Sequence, residues 1–197
     1  MKKLIVGISG ASGAVYGIRL LEVLSEVNDV QTILIVSNAA KQTIQLETDR
    51  SIKDVEALAD EVYPFGDVSA CISSGSFRTM GMVIAPCSVK TLSAVATSHG
   101  DNLIARAADV VLKDRRRLVL LLRETPLHLG HARLIVQASE AGAVVMPPVP
   151  AFYHRPKTID DIVNQTVNRV LDQFGIELEA DLFERWQGAK KSDNSGS

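Results

Sequence analysis

MKKLIVGISGASGAVYG (residues 1–17) decides the fold. Leu4, Ile5 and Val6 form a short, continuously apolar run, the pattern of a strand covered on both faces. The run breaks into a turn of small residues, Gly7 to Gly13, and then into a stretch carrying Leu20, Leu21 and Leu24 at helical spacing. A strand, a small-residue turn and a helix start make an anion site, because the free N–H groups of the first turn and the helix dipole both favour a phosphate. The opening therefore predicts an α/β protein that handles a phosphorylated ligand. A plain tight turn is the alternative reading of the same residues.

What the turn lacks narrows the ligand. No Lys-Ser or Lys-Thr follows a glycine at P-loop spacing. Ile8 stands where a dinucleotide fingerprint has its first glycine, leaving only Gly10-x-x-Gly13. A dinucleotide site also wants an acidic residue after the second strand. Here Thr32 to Val36 ends in Ser37-Asn38. A hydroxyl there suits a phosphate or a ribityl chain, so a mononucleotide is expected, with flavin mononucleotide (FMN) the leading candidate.

Outward from this start, strands and helices alternate. Strands are expected at 3–8, 31–36, 61–63, 82–85, 118–122 and 143–146, and helices at 14–26, 38–46, 52–60, 88–98, 102–113, 129–141 and 159–173. The strands are Val/Ile/Leu-rich runs without alternation, which predicts a single-domain, doubly wound, Rossmann-like or flavodoxin-like sheet, mostly parallel, with helices on both faces. In such a sheet ligands sit at the carboxyl ends of the strands. The turn at Ser9–Gly13, Ser37-Asn38, the segment Pro86–Thr91, the loop Arg123–Pro126 and the loop Pro147–Tyr153 all fall there. The length, 197 residues, suits one domain, expected over residues 1–189, with a polar, disordered tail at 190–197. A net charge of −2 argues against nucleic acid, and no apolar run reaches membrane-spanning length. Cys71 and Cys87 form neither a metal-spaced pair nor a disulfide framework, which fits a cytoplasmic protein.

Several residues in these loops carry chemistry. Ser88 and Thr91 stand at a helix start, as a cap or as ligand contacts. Arg106 and Lys113 are seven apart and share a helix face, with Asp109 placed to pair with Lys113; a surface ladder and a ligand role both fit. The rest of the run from Lys113 to Arg117 reads as solvated charge. Glu124, at the end of the apolar run Leu118–Leu122 and before Pro126, is placed among apolar neighbours for acid/base work, and Arg123 beside it can hold a flavin or a phosphate. Tyr153 and Arg169 are good phosphate ligands. Thr158 followed by Asp160 and Asp161 reads as a helix cap, and no second acidic cluster completes a metal site. His128 and His131 read as polar lining or surface.

Taken together, GISGASGA (7–14), LETD (46–49), SSGSF (73–77), PCSVKTL (86–92), RAADVVLK (106–113), RETPL (123–127), PPVPAFYHRP (147–156) and VNRVLDQFG (167–175) closely resemble the UbiX-type flavin prenyltransferases. The resemblance runs from residue 1 to about 189. It implies that Gly10, Ala11, Ser12, Ser37, Ser88, Val89, Lys90, Thr91 and Arg123 bind FMN, in its reduced form a co-substrate, without a metal. It implies that Arg106, Lys113, Tyr153 and Arg169 clasp dimethylallyl monophosphate and that Trp186 covers it. Glu124 is implied as acid/base, with Glu47 and Ser12 near the reacting centre. The family attaches a dimethylallyl group to reduced FMN and supplies the product to a UbiD-type decarboxylase, in ubiquinone synthesis or aromatic acid decarboxylation. It forms homo-oligomers, by resemblance dodecamers, whose sites a neighbouring subunit can complete.

A flavin-dependent decarboxylase acting directly on an aromatic acid is the main alternative. The cysteine decarboxylases fit less well, because their P-x-M-N-x-x-M-W segment is absent. A serine hydrolase using Ser12 lacks a supporting acid–His order. A flavin carrier would leave Glu124, Lys113 and Arg169 without a task.

Overall fold

The computed structural model describes residues 1–188, so the tail at 190–197 and the domain end at 189 lie outside the described residues. Six strands, β1 (Lys2–Ile8), β2 (Val30–Val36), β3 (Glu61–Val62), β4 (Gly81–Cys87), β5 (Arg117–Leu122) and β6 (Val144–Val145), form one parallel sheet in the order β3-β2-β1-β4-β5-β6. The chain winds outward in one direction from β1 to β3, then returns to β1's other side and winds through β4, β5 and β6. The switch point, where a doubly wound sheet opens a crevice, therefore lies between β1 and β4.

Among the described residues seven α-helices cover the sheet: α1 (Ala14–Ser25), α2 (Asn38–Glu47), α3 (Ile52–Glu56), α4 (Val89–Ala96), α5 (Leu103–Lys113), α6 (Leu129–Glu140) and α7 (Ile159–Gln173). Period-2 geometry sends Leu4, Val6 and Ile8 to one face, where they meet α1, α2, α3 and α7. It sends Ile5 to the other, where α4, α5 and α6 lie. All four are at most 1% exposed, each contributing about 1.5–3 kcal/mol of burial.

The expected elements are present, with instructive changes at their ends. The helix expected over 52–60 stops at Glu56. Asp60 leaves it to bind β2: its carboxylate accepts from Thr32 N at 2.7 Å and Thr32 Oγ1 at 2.9 Å. Both edge strands have only two residues, which limits the unpaired edge open to another chain. Arg116, read as solvated charge, is instead a tether. It donates to Gly75 O at 2.7 Å and Phe77 O at 2.8 Å and pairs with Asp114 at 2.8 Å, fixing the long connection into β4. Cys87 ends β4 fully buried, and that burial pushes its thiol up to about 12; Cys71 is exposed. No helix among the described residues is long and apolar enough to cross a membrane.

Candidate functional site

At the switch point the strand ends enclose a cleft of about 910 Å³, within the range of about 300–1,000 Å³ usual for ligand sites. Gly10 from the β1 turn, Ser37 and Asn38 from the start of α2, and Ser88, Lys90 and Thr91 from the start of α4 line it. Gly10 is required by close approach: a Cβ there would stand 2.4 Å from Ala39 Cβ. Ser37 caps α2 by accepting from Ala40 N at 3.1 Å, which leaves its hydroxyl proton free to donate. Ser88 caps α4 by accepting from Thr91 N at 3.3 Å and donates to Thr91 Oγ1 at 3.1 Å, so the proton left over is that of Thr91. The cap reading and the ligand reading of these residues are thus compatible. Two helix N-termini, of α2 and α4, point at one cleft with hydroxyl donors beside them, the chemistry that holds a phosphate and a polyol chain.

The third N-terminus, α1, differs from expectation. The Glu47 carboxylate takes the Gly13 N–H at 2.8 Å and the Ala14 N–H at 3.1 Å. Gly13, at φ 97°, is the N-cap and has no side chain to do so. The anion favoured at this turn is therefore the protein's own at those two donors, and the ligand's anion site moves to α2 and α4. Burial alone would raise the Glu47 carboxyl; hydrogen bonds from Ser12, Gly13 and Ala14 and the charge of Arg123 together hold it below the ordinary range. Glu47 is thus an anion at neutral pH. The charge of Arg123 also pulls down the Tyr16 hydroxyl, which burial raises more strongly. Glu47 is thus tied to the turn that carries Gly10, Ala11 and Ser12.

Arg123 and Glu124 follow β5 at the same sheet edge, with Arg123 N donating to Cys87 O at 3.0 Å. Glu124 Oε1 accepts from Thr125 N at 2.9 Å. The apolar surroundings expected for Glu124 are not supplied within the protomer, where the residue is exposed. The strand points its last apolar side chain, Leu122, into the core, and the chain then leaves the sheet.

Of the four residues expected to clasp a phosphate, the two on α5 and the one on α7 lie on opposite faces of the sheet. Arg106 and Lys113 are on α5, whose Ile104, Ala107 and Val111 pack on one face of the sheet. Arg169 is on α7, whose Val163, Val167 and Val170 pack on the opposite face. Lys113 also ends α5 near the start of β5, away from the cleft. Neither Arg106 nor Lys113 has an ion-pair partner among the described residues, so the expected Asp109–Lys113 pair is not formed. Tyr153 and Trp186 do come together, with ring centroids 6.0 Å apart and edges to faces. Arg169 lies 3.6 Å from Asp172.

Ser9 was read only as part of the turn, and other residues of the site were not singled out in the sequence. Ser9, 2% exposed, donates to Pro86 O at 2.9 Å and accepts from Ser88 N at 2.8 Å, joining the β1 turn to the start of α4. Phe65 and Asn102 line the cleft from segments far away in sequence. Only Asn102 had a legible mark, a side chain suited to capping, and it caps α5 through Ala105 N at 3.0 Å. His128, read as lining or surface, caps α6 through Nδ1, which accepts from Gly130 N at 3.0 Å. Thr158 and Asp161 form the expected capping box of α7. No group of three or more His, Cys, Asp or Glu gathers among the described residues.

Comparison with known proteins adds to this geometry. Residues 1–171 match the Flavoprotein family. The flavin prenyltransferase UbiX of Escherichia coli (strain K12) is 67% identical over 189 residues, 96% of this chain and 100% of that protein. A solved structure of AnUbiX (PadA1) in complex with FMN and dimethylallyl pyrophosphate superposes with a TM-score of 0.92 at 48% identity, covering 96% of this chain and 99% of the other. A dodecameric FMN-dependent UbiX-like decarboxylase from Escherichia coli O157:H7 superposes with a TM-score of 0.90 at 51% identity, covering 95% and 100%.

Proposed function

The chain belongs to the UbiX family of flavin prenyltransferases, and from that premise we propose how its own residues carry the transfer of a dimethylallyl group to FMN. The observation that carries the reading is the cleft at the β1/β4 switch point, where two helix N-termini and the free hydroxyl protons of Ser37 and Thr91 converge. Those groups fit the phosphate and ribityl chain of FMN, with Val89 and Lys90 N–H groups beside them and Gly10 and Ala11 allowing close approach. Reduced FMN supplies the nucleophilic nitrogen and carbon of its central ring. Arg123 faces the flavin, and Ser12 and the ionised Glu47 fix the neighbouring corner. Glu124 would serve as acid and base for the second bond, giving a proton to the double bond of the attached dimethylallyl group, which is consumed, and taking one from the ring carbon that joins it.

The donor is proposed to be dimethylallyl monophosphate. Tyr153 and Arg169 hold its phosphate from one copy, and Arg106 and Lys113 from a second, because the two pairs lie on opposite faces of one sheet. Each charge-assisted hydrogen bond to the phosphate contributes roughly 1.5–3 kcal/mol, so cations replace a metal in stabilising the leaving group. A neighbouring copy would also give Glu124 the apolar enclosure it lacks alone. Homo-oligomerisation is thus part of the active site, and a dodecamer is proposed on the likeness to the dodecameric relative. Trp186 covers the dimethylallyl chain. The prenylated flavin is proposed to pass to a UbiD-type decarboxylase in the cytoplasm, a reading supported by two cysteines outside any disulfide.

The test is anaerobic incubation with reduced FMN and either dimethylallyl monophosphate or dimethylallyl pyrophosphate, followed by mass spectrometry of the extracted flavin. Gain of one C5 unit with the monophosphate is expected. The name of the dodecameric relative favours a second reading, direct decarboxylation of an aromatic acid. Unmodified flavin together with turnover of such an acid would establish it instead.

A further inference from the structure

Trp186 is 63% exposed, so burial does not hold it in place. What holds it is the segment on its N-terminal side. After α7 the chain turns back along that helix, and Leu182 N donates to Oδ1 of the buried Asn168 at 2.8 Å. Arg185, next to Trp186, then makes a fork. Its Nη1 and Nη2 donate to the two oxygens of Asp172 at 3.0 and 2.8 Å, and its Nε and Nη2 donate to Asp181 at 2.5 and 2.6 Å. Its guanidinium also sits 5.8 Å from the Phe183 ring centroid, and Phe183 meets His154, the neighbour of Tyr153, edge to face at 5.6 Å. Bidentate geometry and a network set this pair apart from an ordinary surface ion pair.

Asp172 has a second claimant. Arg169, one turn earlier on α7, places Nη1 3.6 Å from Asp172 Oδ2. The residue assigned to the substrate phosphate and the residue next to the substrate cover therefore share one carboxylate.

We propose that Arg185 is a positioning residue for prenyl transfer: its fork on Asp172 latches the 181–186 strap so that Trp186 stands against Tyr153 over the allylic substrate. Asp172 couples the latch to the phosphate. When a phosphate draws Arg169 away, Asp172 is left to Arg185 alone, and the strap tightens as substrate arrives. This rests on the assignment of Trp186 as cover.

Trp186 is the chain's single tryptophan, so its fluorescence reads the strap directly. The full-length protein is compared with R185Q, R185K and W186A. The readouts are tryptophan anisotropy of the parent, R185Q and R185K with and without dimethylallyl monophosphate and, for every variant, kcat and KM for that donor and FMN affinity. R185Q is expected to lower the anisotropy and to abolish its rise on donor addition. It should raise KM roughly tenfold, the lower end for one charge-assisted hydrogen bond, while kcat and FMN affinity stay as in the parent. R185K, which keeps the charge and loses the fork, should recover part of both signals. Unchanged anisotropy in R185Q overturns the latch whatever the kinetics. Lowered anisotropy with unchanged KM overturns its role in positioning, provided W186A raises KM. If W186A also leaves KM unchanged, the cover assignment itself has failed and the latch falls with it.

Discussion

The carboxylate of Glu47 shows how a residue's partners can redirect a site. Its two backbone donors are the ones a phosphate would have used at α1, and the charge it places there is permanent near neutrality. Its folded pKa lies below the unfolded one, so its contribution to stability is complete above the ordinary glutamate value of about 4.3 and is lost as pH falls through the lower, folded value. The stability gap between the parent and E47Q should therefore be constant from neutral pH down to about pH 5–6 and shrink below about pH 4, as read by denaturant unfolding across pH. The resemblance put Glu47 and Ser12 near the reacting centre, but the bonds that Glu47 makes and its charge were not legible beforehand. Glu47 and Gly13 are 34 positions apart, and a carboxylate that bonds a distant backbone N–H leaves no periodic trace. The run ending in Arg116 misled for the same reason: three successive arginines look solvated, and only the fold shows which one turns inward to Gly75 and Phe77.

At the scale of elements, most of the fold could be read. The ends of β1, β2 and α7 fall within a residue of expectation, because uninterrupted Val/Ile/Leu runs and a Thr158–Asp161 capping box are local signals. Unreadable were the joints between elements. Ser9 is such a joint: one hydroxyl serves both the β4 end and the α4 start. S9A leaves the half-buried Ser88 N–H without that partner and should cost about 0.5–1.5 kcal/mol, measured by unfolding of the apoprotein. FMN affinity should fall with it, because α4 carries part of the cleft. S88A, by contrast, removes a cap and should cost about 1 kcal/mol.

For the whole molecule, the sheet is the constraint that matters. It separates the α5 cations from Tyr153 and Arg169, and no side-chain motion carries a group through a six-stranded sheet. A protomer lacking Arg106 and one lacking Tyr153 should each assemble into inactive oligomers, yet co-assembly of the two should restore part of the activity, because some sites then draw each half from an intact copy. Restoration of nothing would place all four ligands within one chain. The burial of Cys87 has a consequence at this same scale. Cys71 lies open while Cys87 is sealed at a central strand end with its thiol protonated, so a maleimide added to the native protein should modify one sulfur at once. The second sulfur waits for the sheet to come apart. The slow phase of labelling is thus a clock for global opening, built into the chain, that runs in plain buffer without denaturant and registers how far each bound ligand slows it.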